Sequence, residues 1–323
     1  KIAIVGCGAL GSFYGAMLTH TGFDVHFLLR SDYEHVRQNG VKIHDADHTF
    51  HIQPHTASAP ENIGQADFVL IGLKTTANNQ FQKLLPPLVG PHTALVTLQN
   101  GLGNEEQLAT LFPPEQIMGG LCFVCLNRIA PGVIVHKARG KVVLGEFQRP
   151  ANSRTHELAG MFKRAGIACD TTDNLARTHW EKLVWNIPFN GLGVAGTIGY
   201  DTFMSDRLPE AMHPNPVLST DILLGDQRWE KLVRELMAEV INAANALGLD
   251  VSELLSQKQI ERTRVMGAYK ASTLVDFERR LPLELHSLFL EPLRQAQQAN
   301  IQTPRLMRLC EVLKSLDDNN RNP

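Results

Sequence analysis

The stretch that decides the fold opens the chain, where the apolar run Ile2-Ala3-Ile4-Val5 leads into Gly6-Cys7-Gly8-Ala9-Leu10-Gly11. These six residues fit the pattern G-x-G-x-x-G between a buried strand and a helix. There, the first glycine permits a tight turn, the second lets a pyrophosphate approach the backbone, and the third allows close helix–strand packing. The helix N-terminus adds N–H donors and about half a positive charge. We predict that Gly6, Cys7, Gly8, Ala9, Leu10 and Gly11 bind a dinucleotide; the alternative is a plain strand-to-helix turn.

Further apolar runs alternate with helical stretches through the first half of the chain. They are Val25–Leu29, Phe68–Leu73 and Ala94–Leu98. Such alternation indicates a parallel sheet covered by helices on both faces. After about residue 170 helical periodicity dominates. We predict the α/β class, with an N-terminal Rossmann-type doubly wound parallel sheet over residues 1–172 and a C-terminal all-helical domain over residues 173–323.

Several local patterns predict finer detail. Residues 41–55 indicate an antiparallel excursion, and residues 132–136 with 141–145 indicate a hairpin that closes the first domain. Apolar periodicity predicts helices over 228–247, 251–277 and 283–300, and residues 208–226 are expected to form a long loop. Pro188 is expected to kink or break the helix that surrounds it.

Composition excludes several classes of protein. The chain has 323 residues, 43% of them hydrophobic, and a net charge of −2, which argues against a nucleic-acid partner. A membrane partner is not expected, because the sequence contains no apolar run of about 18 residues. We also expect no secretion signal, and the five scattered cysteines indicate a reducing, cytoplasmic location. Cys122 and Cys125 have CxxC spacing, but no second CxxC or histidine pair accompanies them, so no metal site is predicted.

The end of the second predicted strand separates NAD from NADP. An NAD site places an acidic residue there to bind both ribose hydroxyls. Here the strand ends in Leu29-Arg30, and the first acidic residue is Asp32. Because the Arg30 guanidinium matches a 2′-phosphate, we predict NADP, with NADPH as the reduced form. In the alternative, Arg30 caps a loop and Asp32 binds the ribose.

Two further groups of polar residues are candidates for chemistry. Lys74 and Asn100 each follow a predicted strand at the carboxyl edge of the sheet, where ligands bind. Lys182, Asn186 and Asn190 project within about 80° of one another on a helix. Polar groups on such an apolar helix are costly to bury without polar partners, which a substrate carboxylate and carbonyl would supply. The alternative is a surface lysine with two capping amides.

Taken together, these stretches resemble the ketopantoate reductase (2-dehydropantoate 2-reductase) family over essentially the whole chain. The resemblance rests on the glycine turn, Leu29-Arg30, Leu73-Lys74, Gln99–Gly103, the block Trp180–Asn186, and the pair Ser272 and Glu284. The block matches the family motif W-x-K-L-x-x-N around the catalytic lysine. The resemblance implies NADPH-dependent reduction of 2-dehydropantoate to pantoate in pantothenate and coenzyme A biosynthesis.

The resemblance also implies a role for each matching residue. Lys182 is implied to be the general acid that protonates the forming alkoxide, and Glu284 to bind the substrate hydroxyl and orient that lysine. The implied substrate ligands are Asn186, Asn190, Ser272 and Asn100. The implied cofactor ligands, beside the glycine turn, are Arg30, Lys74 and Asn100.

The chain departs from the family pattern in two places. Leu283-Glu284-Leu285-His286 replaces a Thr-Glu-Ile-Asp-like block, and residues 191–200 are rich in glycine without a clear ligand asparagine. These departures motivate an alternative, a related NADPH-dependent reductase of another 2-keto acid. A non-catalytic NADP-binding protein is the other alternative. The amphipathic C-terminal helices are compatible with a homodimer and equally with a monomeric core.

Overall fold

A computed structural model describes residues 1–45, 48–205, 208 and 215–321. The chain divides into two compact units, Lys1–Leu175 and Ala176–Pro323. The first contains all ten strands of the described chain and the second is helical. The predicted fold class, a parallel-dominated α/β sheet followed by a helical region, is confirmed. The assignment of nucleotide binding to the first domain and of substrate binding and catalysis to the second stays a prediction.

The elements of the first unit alternate along the chain. Its strands are β1 (Ile2–Val5), β2 (Val25–Leu28), β3 (Val41–His44), β4 (Thr49–Ile52), β5 (His55–Ala57), β6 (Phe68–Ile71), β7 (Ala94–Thr97), β8 (Ile117–Ala130), β9 (Val133–Glu146) and β10 (Ala168–Thr172). Its helices are α1 (Ala9–His20), α2 (Tyr33–Asn39), α3 (Phe81–Leu84), α4 (Asn104–Ala109) and α5 (Ser153–Arg164). Short 3-10 turns cover Pro60–Asn62, Thr75–Gln80, Pro86–Leu88 and Pro114–Gln116.

The helical unit follows with α6 (Leu175–Ala195), α7 (Tyr200–Met204), α8 (Thr220–Gly225), α9 (Gln227–Ala246), α10 (Leu254–Arg264), α11 (Ser272–Glu278), α12 (Glu291–Gln298) and α13 (Pro304–Arg321). A 3-10 turn at Gly196–Ile198 follows α6, and a π-helical turn at His286–Leu290 precedes α12.

The strands form one sheet in the order β4-β3-β9-β8-β7-β6-β1-β2-β5, with β10 also paired to β9. The six strands from β8 to β5 are parallel throughout, and their spatial order is the doubly wound order of a dinucleotide-binding sheet. The strand order reverses at β1, which has β2 on one side and β6 on the other. This switch point lies beside the glycine turn that ends β1.

Both faces of the sheet are buried, as strands rich in apolar residues require. On β1, Ile2 and Ile4 pack into one core together with α1 and α5, whereas Ala3 and Val5 pack into the other with α3 and α4. The alternation follows from the two-residue period of a strand. A β1 strand buried on both faces holds the turn at its end in a fixed position.

The predicted hairpin near residue 140 is wrong. Residues 133–146 form one strand, β9, which pairs antiparallel with β8. The reversal lies at Pro131-Gly132, where Gly132 has φ +66° and its neighbours would crowd a side chain. The excursion at 41–55 is antiparallel only between β3 and β4, because β5 joins β2 in parallel at the other edge.

Helix α6 runs through Pro188 as one helix, so the predicted break does not occur, whereas the predicted kink stays a prediction. Its C-terminal part is surrounded by close packing, which explains the glycines that follow Asn190. An added Cβ at Gly191 would lie 2.5 Å from Leu309, and one at Gly193 would lie 2.6 Å from Leu274. The glycine-rich segment therefore lets α11 and α13 approach α6.

Two other helical predictions need correction. The segment predicted as one helix over 251–277 is two helices, α10 and α11, separated near Gly267, whose φ is +63°. The predicted loop at 208–226 contains α8 at Thr220–Gly225, and residues 209–214 within it lie outside the described part. Periodicity could not detect the break because apolar residues continue across it.

Candidate active site

The glycine turn has the geometry that its sequence predicts. Gly6 has φ +96°, and an added Cβ there would lie 2.3 Å from the Leu73 backbone nitrogen. An added Cβ at Gly11 would lie 2.3 Å from the Gly6 carbonyl oxygen, so only glycine lets α1 pack this closely. At Gly8, by contrast, nothing lies within 4 Å of an added Cβ. The first and third glycines are thus required by packing, whereas the second leaves open space above the backbone.

Cys7 lies within this turn, and its thiol is unreactive. Its Sγ donates weakly to the Ile4 carbonyl at 3.6 Å, and Ser12 Oγ donates to the Cys7 carbonyl at 2.9 Å. Burial raises the pKa of the Cys7 thiol well above its ordinary value, and the nearby Asp32 carboxylate raises it further. Cys7 therefore contributes its backbone to the turn, and its side chain remains a neutral thiol.

The loop after β2 carries the two residues that bear on NAD or NADP. Arg30 is exposed, and Asp32 is buried at the N-terminus of α2. One carboxylate oxygen of Asp32 accepts from Ser31 Oγ at 3.1 Å, and the other pairs with the Arg128 guanidinium. Asp32 therefore presents a neutralised carboxylate, which disfavours the alternative in which it binds the ribose hydroxyls.

An amide network joins the carboxyl ends of β6 and β7. Asn78 Nδ2 donates to Asn104 Oδ1 and to Gln107 Oε1, each at 3.0 Å. Asn78 Oδ1 in turn accepts from Gln99 Nε2 at 2.7 Å, and Asn104 Nδ2 donates to the Asn100 carbonyl at 3.1 Å. The network therefore ties the turn after Lys74 to the turn that contains Asn100.

The two predicted residues on this edge occupy equivalent positions. Lys74 is exposed and precedes the 3-10 turn Thr75–Gln80, and Asn100 is half-buried after β7. Gly101 and Gly103 follow with φ of +84° and +88°. These left-handed residues turn the chain into α4, so that Asn100 stays at the carboxyl edge of the sheet.

In the second unit, α6 carries the predicted polar face. Lys182 is half-buried, and both Asn186 and Asn190 are buried. Apolar neighbours Leu183, Val184 and Ile187 are essentially inaccessible to solvent. Because the helix is unbroken at Pro188, Lys182, Asn186 and Asn190 lie on the same helix.

The structure brings Asn190 and Ser272 together, although 82 residues separate them. Asn190 Oδ1 accepts from the Thr273 backbone N–H at 3.0 Å and from Ser272 Oγ at 3.5 Å. The Asn190 oxygen thus caps the N-terminus of α11, whose N-cap residue Ala271 has no side-chain acceptor. Asn190 has at least this structural role in addition to any contact with substrate.

Glu284 is buried in the connection between α11 and the π-helical turn. Helix α11 ends at Glu278, so Pro282 lies beyond its end. The neighbouring Leu283 N–H donates to Asp317 Oδ1 at 3.1 Å, and Asp317 is itself buried on α13. This bond holds the backbone beside Glu284 against α13.

Sequence reasoning missed the residues that act through such long-range contacts: Asn78, Asn104, Gln107, Arg128 and Asp317. The Asn78-Asn79 pair after Lys74 was the one local signal for the amide network. Across the described chain, no group of three or more His, Cys, Asp or Glu side chains is arranged to hold a metal ion. No helix in the described ranges is both long and apolar enough to cross a membrane.

Comparison with known proteins identifies both units. The family profile "Ketopantoate reductase PanE/ApbA" matches residues 2–149, and its C-terminal counterpart matches residues 218–317. A curated 2-dehydropantoate 2-reductase from a Nostoc species is 36% identical, over 99% of this chain and 96% of the relative.

Solved structures agree in fold and in sequence. The crystal structure of 2-dehydropantoate 2-reductase from Geobacter metallireducens GS-15 has a TM-score of 0.89 and 44% identity, and covers 97% of this chain and 99% of that one. The enzyme of the same name from Methylococcus capsulatus has a TM-score of 0.88 and 31% identity, covering 100% of this chain and 98% of its own. The resemblance stated from the motifs is confirmed.

Proposed function

The chain belongs to the ketopantoate reductase family of nicotinamide-dependent oxidoreductases, and on that premise we propose that it reduces 2-dehydropantoate to pantoate with NADPH. The similarity to 2-dehydropantoate 2-reductases over nearly the whole chain carries the proposal. The intact block Trp180–Asn186 on α6 supports it, because it contains the proposed acid, Lys182, and the amide of Asn186. The reaction belongs to pantothenate and coenzyme A biosynthesis.

The residues of the first unit fit a dinucleotide. The open space above Gly8 would accept a pyrophosphate, and the N-terminus of α1 would face it with N–H donors. Arg30 would hold the 2′-phosphate, and Lys74 with Asn100 would position the nicotinamide end. When bound, NADPH supplies the hydride that reduces the keto carbon.

The residues of the second unit supply the proton and hold the acid substrate. As the carbonyl carbon is reduced, negative charge grows on its oxygen, and the Lys182 ammonium stabilises that charge and donates a proton to it. Glu284 binds the substrate hydroxyl and orients Lys182. Asn186 and Asn190 donate or accept hydrogen bonds to the substrate, and Ser272 Oγ donates to its carboxylate. Lys182 and Glu284 are thus the proposed catalytic residues.

Steady-state kinetics against a panel of 2-keto acids test the substrate. We expect 2-dehydropantoate to have the highest kcat/KM with NADPH, and a different 2-keto acid ranking first would contradict the specific proposal. Absence of NADPH oxidation with every keto acid would instead favour a non-catalytic NADP-binding protein.

Substitution of Lys182 tests the mechanism. Lys182→Ala is expected to lower turnover by roughly 10²–10⁴-fold, the range for a positioned proton donor, with NADPH affinity retained. Lys231→Ala is the matched control, because it removes the same charge from an exposed position on α9. Turnover of Lys182→Ala within about tenfold of the wild-type value would show that the proton comes from elsewhere.

We further propose a cytoplasmic enzyme, since its five cysteines carry no disulfide.

The assembly is proposed to be a homodimer, which light scattering coupled to size-exclusion chromatography would distinguish from a monomer. A mass of one chain in solution would contradict it.

A further inference from the structure

The turn between β8 and β9 packs against α2, the helix that follows the loop after β2. An added Cβ at Gly132 would lie 2.8 Å from the Gly40 carbonyl oxygen and 3.4 Å from the side chains of His35 and Val36. The Gly132 carbonyl also accepts from Lys42 N–H at 2.8 Å. This packing holds the distal end of β8, which carries Arg128, beside the N-terminus of α2.

At that N-terminus, the Asp32 side chain does not cap its own helix. Asp32 is the N-cap residue of α2, yet its side chain accepts no bond from the helix backbone. The Asp32 side chain is 8% exposed, and its carboxylate pairs with the Arg128 guanidinium and accepts from Ser31 Oγ. Asp32 follows β2, which pairs in parallel with β1, so it lies at the same carboxyl edge of the sheet as the glycine turn.

A bare carboxylate at this position would select the wrong nucleotide. After the second strand of a dinucleotide-binding sheet, an acidic residue accepts hydrogen bonds from the ribose hydroxyls of NAD, and it repels a 2′-phosphate. Arg128 removes that repulsion because it neutralises the carboxylate. The Arg128 side chain remains 40% exposed, close to a loop on which Arg30 is also exposed.

We propose that Arg128 is a specificity-determining residue that, through its ion pair with Asp32, converts an NAD-type acidic position into one that accepts the 2′-phosphate of NADPH. The inference rests on the proposed function only in that a nicotinamide dinucleotide binds the glycine turn. A residue of β8 thus helps to set the selectivity for NADPH over NADH, which would otherwise depend on the loop after β2 alone.

The test measures the dissociation constants of NADPH and NADH by calorimetry for the wild-type protein, Arg128→Ala, Asp32→Asn and the double variant. Arg128→Ala is expected to lower the NADPH-to-NADH preference by about tenfold or more, because the unpaired carboxylate now repels the phosphate. Adding Asp32→Asn is expected to restore most of the preference. Arg37→Ala is the matched control: it removes one positive charge from α2 itself and leaves the Asp32–Arg128 pair intact.

An unchanged preference in a folded Arg128→Ala protein overturns the inference. A loss of preference that Asp32→Asn does not restore also overturns it, since Arg128 would then act without Asp32. If Arg128→Ala unfolds at a much lower temperature than the wild type, Arg128→Gln and Arg128→Lys replace it. Arg128→Gln is expected to lose the preference for NADPH over NADH, and Arg128→Lys to keep it. An equal preference in these two variants overturns the inference. A wild-type protein that prefers NADH contradicts the proposed cofactor, whereas the change in preference tests Arg128 separately.

Discussion

The first two glycines of the turn before α1 are expected to respond to alanine in different ways. At Gly6 the backbone φ is +96°, and an added Cβ would lie 2.3 Å from Leu73 N and 2.6 Å from the Gly72 carbonyl carbon. At Gly8 the backbone φ is −75°, which any residue adopts, and an added Cβ meets nothing within 4 Å. Gly6→Ala should therefore destabilise the fold, whereas Gly8→Ala should fold and obstruct the pyrophosphate.

The two effects on the free energy of unfolding differ in size. At Gly6, a left-handed backbone costs alanine about 1–2 kcal/mol. The contact with fixed main chain adds an overpacking cost of about 1–3 kcal/mol. The sum is a large part of the roughly 5–15 kcal/mol by which native domains are stable. At Gly8, alanine gains about 0.4–1 kcal/mol from a less flexible unfolded chain and loses a similar amount as a poorer N-cap.

Urea denaturation and calorimetric titration with NADPH measure both quantities. The free energy of unfolding of Gly8→Ala should lie within about 1 kcal/mol of the wild-type value, and its dissociation constant for NADPH should rise by about tenfold or more. Gly160→Ala is the matched control, because an added Cβ on α5 also meets nothing within 4 Å. Wild-type affinity in Gly8→Ala would refute pyrophosphate binding at this turn, and wild-type stability in Gly6→Ala would refute the packing argument.

Three other substitutions test separate parts of the structure. Arg30→Ala should weaken NADPH by about tenfold or more and NADH little, as measured by calorimetry; equal losses for both nucleotides would exclude a 2′-phosphate contact. Glu146→Gln should cost about 1.5–3 kcal/mol at pH 7, because it weakens the charge-assisted hydrogen bonds from Arg154 and Arg149 to a buried side chain. Burial acts to raise the pKa of Glu146, but hydrogen bonds from Arg154, Thr155 and Arg149 outweigh it and lower that pKa. The ionised Glu146 therefore stabilises the folded protein above the pKa of the unfolded state, and this stabilisation is lost as the pH falls through the pKa of the folded state. Wild-type stability in urea should therefore fall more steeply than that of Glu146→Gln below about pH 4.3, and parallel curves would contradict this. Asn190→Ala should cost about 1–2 kcal/mol in thermal denaturation, and an unchanged melting temperature would exclude the cap on α11.

The sequence by itself determined the class of fold and the family. Gly6–Gly11 follows β1 directly, and each step of the argument there needs only neighbours along the chain, which local sequence specifies. The same holds for the polar face of α6, because Lys182, Asn186 and Asn190 lie on one continuous helix. Local patterns failed where a strand or helix depended on distant partners, as with the reversal at Pro131-Gly132 and the division of residues 251–277.

Only the tertiary structure decided which polar groups meet. Arg128 reaches Asp32 across 96 residues, and Asn190 reaches Ser272 across 82. Asn78 links the ends of β6 and β7 through an amide network that no spacing rule predicts. These contacts depend on the order and register of strands and on the packing of helices. The entropy cost of closing such long loops is offset only when the whole core forms. No local stretch of sequence therefore specifies which distant residues meet.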